Sequence, residues 1–89
     1  MINKHLIIEF GLKIKKLRKE KDISQEELSF LTGFHRTYIG MIERGERNIS
    51  LSNMAVFAKV FELNLSELLD FKIENAYKEY QTKVQNNVK

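Results

Sequence analysis

Four consecutive residues, His35, Arg36, Thr37 and Tyr38, stand directly before Ile39 and Ile42, two apolar residues at helical spacing. Polar and amphipathic groups opening a helix in this way suit hydrogen bonding to the edges of stacked bases in a major groove. Arg36 can bond guanine bidentately through O6 and N7. Thr37 offers a methyl to thymine and a hydroxyl to a base edge or phosphate. Tyr38 can pack on a deformable pyrimidine–purine step or reach a phosphate with its hydroxyl. The alternatives are a surface ion pair for Arg36 and partial core packing for Tyr38. A second group suits the sugar–phosphate backbone. Gln25 opens a helix, where a side-chain amide and a main-chain N–H can both hold a phosphate. Arg47 and Asn48 lie just beyond the putting-in-place helix of the first group, and Lys16 belongs to a basic segment before it.

The stretch Ser24–Asn48 must position these groups. Its spacing predicts two short helices, over 25–31 and 36–44, joined by a turn at Gly33, where the missing Cβ permits left-handed backbone. Leu28 and Leu31 form the apolar pair of the first helix, and Ile39 and Ile42 that of the second. Ser29 is small where the two would cross, and Gly40 leaves room for close approach to DNA or to a neighbouring element. Ser24 with Glu27 has the spacing of a capping box, so Glu26 and Glu27 are read as helix-start residues rather than as a catalytic pair. Gly45 suits a left-handed cap, and Glu43 is expected to pair with Arg47 or with an Arg or Lys of the first helix. The pattern is that of a helix-turn-helix.

Three further elements frame this unit. Leu6, Phe10, Ile14 and Leu17 make one face of a helix from about His5 to Lys21, with Gly11 marking either a kink or the true start. Ser50 caps a fourth helix whose apolar residues, from Leu51 to Phe61, cover more than half its circumference and predict burial on several sides. Ser66 is expected to cap a fifth. From Phe71 onward, Ile73, Ala76 or Tyr77, Tyr80, Val84 and Val88 continue an apolar spacing of roughly four. They predict either an extended C-terminal helix or a partly disordered tail.

Composition narrows the classes. The 89 residues make one small domain, for which association with a second copy is a common route to stability. Net charge is +3, and residues 1–21 carry +5, so the first helix is an electropositive rod suited to a phosphate backbone. There is no cysteine, which fits a cytoplasmic setting. No apolar run is long enough to span a membrane, and the N-terminus lacks the apolar core of a signal peptide. The two histidines, His5 and His35, lie thirty residues apart with neither HExxH nor a glycine-rich phosphate loop. No catalytic residue, metal site or cofactor is expected.

These residues together resemble the lambda-repressor-like (Cro/CI-type) helix-turn-helix regulators over about Ile14 to Leu69. The segment HRTYIGMIERGERNIS is most similar to controller proteins of restriction–modification systems. Those carry R-T-Y-I, I-E-R-G and R-N runs, here Arg36–Ile39, Ile42–Gly45 and Arg47-Asn48. The resemblance implies an all-α, five-helix DNA-binding domain over residues 1–70, with residues 71–89 as a helical extension or tail. It implies a transcriptional regulator that binds palindromic operators in double-stranded DNA and regulates its own gene. Such proteins are homodimers, joined here through the fourth and fifth helices and, with them, the tail. Arg36 and Thr37 would then read bases, with His35 and Tyr38 beside them. Gln25, Arg47 and Asn48 would hold the backbone, supported by Lys16. His35 departs from the pattern, since many controllers have an acid there, and the tail is longer. The alternative is an antitoxin or phage-type repressor that uses the same module and binds a protein partner with its tail.

Overall fold

A computed structural model describes residues 3–72, and among these every regular element is helical. The C-terminal segment 73–89, including the expected amphipathic extension, lies outside the described residues. The first helix, α1, spans Lys4–Glu20 and is capped by Asn3, whose side chain accepts the Leu6 N–H at 3.1 Å. The helix does not begin after Gly11 but runs through it. Gly11 is buried where α1 crosses the third helix, and a Cβ there would lie 2.3 Å from the Ile42 carbonyl oxygen. The residue therefore serves backbone-to-backbone approach, which apolar periodicity does not encode.

Helix α2 spans Gln25–Thr32 behind the expected capping box. The Glu27 N–H donates to Ser24 Oγ at 3.0 Å, and the Ser24 N–H donates to Glu27 Oε1 at 2.9 Å. Gly33 ends it with φ +78°. Leu28 is fully buried, but Leu31 is 53% exposed and does not join it in the core. Phe34 does so instead. The turn folds its ring back to 5.3 Å from Phe57, and its N–H donates to Thr32 Oγ1. Ser29 Oγ donates to the Phe34 carbonyl, which ties the turn down at the expected small residue.

Helix α3 spans Arg36–Glu43, followed by Arg44 and the left-handed Gly45 at φ +71°. A Cβ on Gly45 would lie 2.8 Å from Ile8 of α1. Helix α4 spans Leu51–Val60 with Ser50 as its cap, as expected. Its burial is narrower than the sequence suggests. Only Phe57 and Ala58 are fully enclosed, while Leu51 is 65% exposed. No further layer covers that side among the described residues. Helix α5, Leu65–Leu68, starts at Asn64 rather than Ser66. The capping box needs Glu67 three residues on, and that spacing selects Asn64, while the Ser66 hydroxyl turns back to Asn64 Oδ1 at 2.6 Å.

The core is contiguous. Phe10 and Ile14 of α1, Leu28 of α2, Ile39 and Ile42 of α3, Phe57 and Ala58 of α4 and Leu68 of α5 form one cluster. Each helix thus contributes its inward stripe to one centre, and α3 packs mainly on α1 and α2.

Candidate nucleic-acid interface

The start of α3, ahead of the buried Ile39 and Ile42, consists of His35, Arg36 and Thr37, all exposed. His35 is the N-cap, and its Nδ1 accepts the Thr37 N–H at 3.1 Å. Arg36 and Thr37 occupy the first turn, where helical geometry aims side chains outward and toward the N-terminus.

Tyr38 shows the partial core packing that its sequence position allows. It is half-buried, with its ring edge-on to Phe34 at 5.1 Å. Its hydroxyl accepts a hydrogen bond from Asn53 Nδ2 of α4 at 2.9 Å, so its own O–H remains a donor. The guanidinium of Arg47 lies 5.8 Å from the ring centroid, within cation–π range. Tyr38 therefore ties the start of α3 to α4 and to the loop carrying Arg47 and Asn48, both of which are exposed. Asn53 has no sequence signal of this role, because only the tertiary fold brings it beside Tyr38.

The other end of α3 is anchored by charge. Glu43 is buried, with its side chain 3% exposed, and it accepts from Arg18 of α1 through both carboxylate oxygens, at 2.7 and 3.1 Å. Gln25 Nε2 donates to the same carboxylate at 3.0 Å, and Arg18 Nη1 donates to the Ile23 carbonyl at 2.9 Å. The hydrogen bond to Glu43 holds the Arg18 guanidinium above its ordinary pKa, opposed by burial and reinforced by Coulombic attraction. Of the two partners expected for Glu43, the first-helix cation is the one found. Arg18 had a legible signal, since it continues the buried i, i+4 row of Phe10 and Ile14.

Gln25 is half-buried at the first position of α2, where its main-chain N–H has no intrahelical acceptor. One hydrogen of its amide is used on Glu43. Gly40 is buried, and a Cβ there would meet the Arg44 guanidinium at 3.0 Å and Gln25 Oε1 at 3.8 Å. The close approach it permits is thus to its own subunit's side chains. Arg44 pairs on the surface with Glu46 at 2.9 Å, and that hydrogen bond holds the Glu46 carboxyl below the usual carboxylate range. Lys16 is exposed on α1, and no hydrogen bond or ring contact among the described residues links it to the other site residues. Its neighbour Lys13 donates to the Asp70 carbonyl at 3.0 Å.

Comparison with known proteins agrees with this geometry. The sequence model of the helix-turn-helix family matches residues 14–68. Control protein C.BamHI of Bacillus amyloliquefaciens is 46% identical over 63 residues, which are 70% of this chain and 78% of that protein. The crystal structure of the restriction-modification controller protein C.AhdI from Aeromonas hydrophila matches with a TM-score of 0.67 at 42% identity, covering 70% of this chain and 94% of that one. C.Esp1396I, solved as a tetramer with its natural 35 base-pair operator, matches with a TM-score of 0.65 at 34% identity over 72% of this chain and 88% of that one. On this evidence the chain belongs to the helix-turn-helix family of DNA-binding transcription regulators, and within it to the restriction–modification controller proteins.

Proposed function

We propose that this chain is a cytoplasmic, non-enzymatic regulator that binds palindromic operators as a homodimer and controls transcription of its own gene. In this reading His35, Arg36, Thr37 and Tyr38 face the bases, while Gln25, Arg47, Asn48 and Lys16 hold the phosphate backbone. The observation that carries it is the exposure of Arg36 and Thr37 on the first turn of α3, ahead of Ile39 and Ile42, which lock the rest of that helix into the core. Partly exposed Leu51 of α4 and Leu69 just after α5 supply apolar surface for a partner copy. The tetrameric operator complex of C.Esp1396I supports assembly on DNA by this class of protein. The matched relatives favour a controller over an antitoxin.

The reading is tested by footprinting and band shift on the DNA upstream of the chain's own gene. A protected palindrome with half-sites about one helical turn apart, roughly 34 Å, is expected. Binding at moderate salt that is no tighter there than on unrelated duplex overturns it.

A further inference from the structure

Five helices begin within the described residues, and four of them are capped by a side-chain oxygen, from Asn3, Ser24, Ser50 and Asn64. These are the residue types that helix starts favour. The fifth cap is His35, at the start of α3, the helix proposed to face the bases. The local preference is therefore broken at one helix start. A departure of that kind is expected where a residue serves a second purpose.

The capping bond fixes the chemistry of the ring. An imidazole nitrogen accepts a hydrogen bond only when it carries no proton, and Nδ1 accepts the Thr37 N–H. A neutral imidazole has one N–H, which must then sit on Nε2. Nδ1 is the nitrogen nearer the main chain, so the backbone takes the inner edge of the ring and leaves Nε2–H at its tip. The residue is exposed and adjoins the exposed Arg36 and Thr37. Serine or asparagine at this position would supply the cap without a rigid donor reaching so far from the helix.

We infer that His35 is a specificity-determining residue, locked by its capping bond as the Nε2–H tautomer, which presents one outward donor to an acceptor on the duplex. That acceptor is a base-edge atom: guanine O6 or N7, adenine N7 or thymine O4. The amino groups of adenine N6 and cytosine N4 are donors in the major groove and are disfavoured opposite it. The inference rests on the proposed orientation of α3 toward DNA.

Two measurements test it. In the free protein, long-range 1H–15N correlation of the His35 ring under conditions where it is neutral should show the proton on Nε2. A proton on Nδ1 overturns the inference without reference to DNA. The second uses duplexes selected by the wild-type protein from a random pool, with binding of the wild type compared with His35→Ser. Serine keeps the cap, so its unfolding midpoint should match or exceed that of the wild type. Its affinity for the selected duplex should nevertheless fall about 3- to 10-fold, the size of one net hydrogen bond. A loss confined to duplexes with one particular base pair identifies the base-edge acceptor, whereas an equal loss on all duplexes assigns His35 to the phosphate backbone and overturns its role in specificity. Affinity equal to wild type on the selected duplex reduces His35 to a cap and overturns the inference. A selection that yields no preferred sequence counts against the proposed function, while the ring measurement still decides the tautomer.

Discussion

The Arg18–Glu43 pair offers the sharpest test of how α3 is held. Replacing Glu43 by Gln keeps the shape of the side chain but removes its charge. It leaves one acceptor oxygen where two now receive hydrogen bonds from Arg18 and one from Gln25. The guanidinium would remain largely enclosed, its side chain 12% exposed, without a counter-charge. Breaking one partner of a buried pair costs about 3–5 kcal/mol, and the remaining solvent contact of Arg18 places this case near about 3 kcal/mol. For a domain of this size each kcal/mol moves the thermal midpoint by roughly 4–8 °C, so Glu43→Gln should melt about 12–24 °C lower. The measurement is thermal and urea unfolding at one fixed protein concentration, because self-association would shift both. The double change Arg18→Met with Glu43→Leu should recover most of the loss, since an apolar pair leaves no unpaired charge. A loss under about 0.5 kcal/mol for Glu43→Gln, the scale of an ordinary surface substitution, would refute the reasoning.

Other expectations follow from the same geometry. Gly11→Ala forces a methyl into the Ile42 carbonyl, 2.3 Å from its Cβ position, and should destabilise by at least about 1–3 kcal/mol in urea unfolding. Arg36→Ala should lose about 1–3 kcal/mol of operator affinity and relax discrimination at one base pair, read by competition with point-substituted duplexes. Arg47→Ala should weaken binding to all duplexes alike and lower the slope of log affinity against log salt by about one. The Glu46 carboxyl is depressed by its hydrogen bond from Arg44, so the pair stabilises the fold above the ordinary Glu pKa. That stabilisation is lost as pH falls through the lowered value. An NMR titration should find Glu46 below a reference Glu, and Arg44→Ala should return it to normal.

The sequence made some of this fold legible and hid the rest for identifiable reasons. Capping residues Ser24 and Ser50, the left-handed Gly33 and the inward stripe of α3 are local signals, and each appears where expected. Leu31 and the outer side of α4 are exposed against expectation, because apolar identity at helical spacing does not reveal which neighbour is present to cover it. Gly11 reads as a kink or a helix start in the sequence because the crossing that requires it involves Ile42, thirty-one residues away. In the candidate interface, the outward placement of Arg36 and Thr37 followed from their position before Ile39. The support beneath them, Asn53 on Tyr38 and Glu43 between Arg18 and Gln25, joins residues far apart in sequence and became visible only in three dimensions.

Residues 39 and 42 of α3 are sealed in the interior, whereas 35, 36 and 37 carry none of the apolar packing. In the proposed reading, residues 35 to 37 choose the target and are thereby nearly uncoupled from those that keep the protein folded. A library randomised at 36 and 37, with His35 allowed only residues that can cap, should consist largely of folded variants with altered target preference. Mutational drift could redirect such a regulator to a new site through two or three solvent-facing changes, with little disturbance of the scaffold.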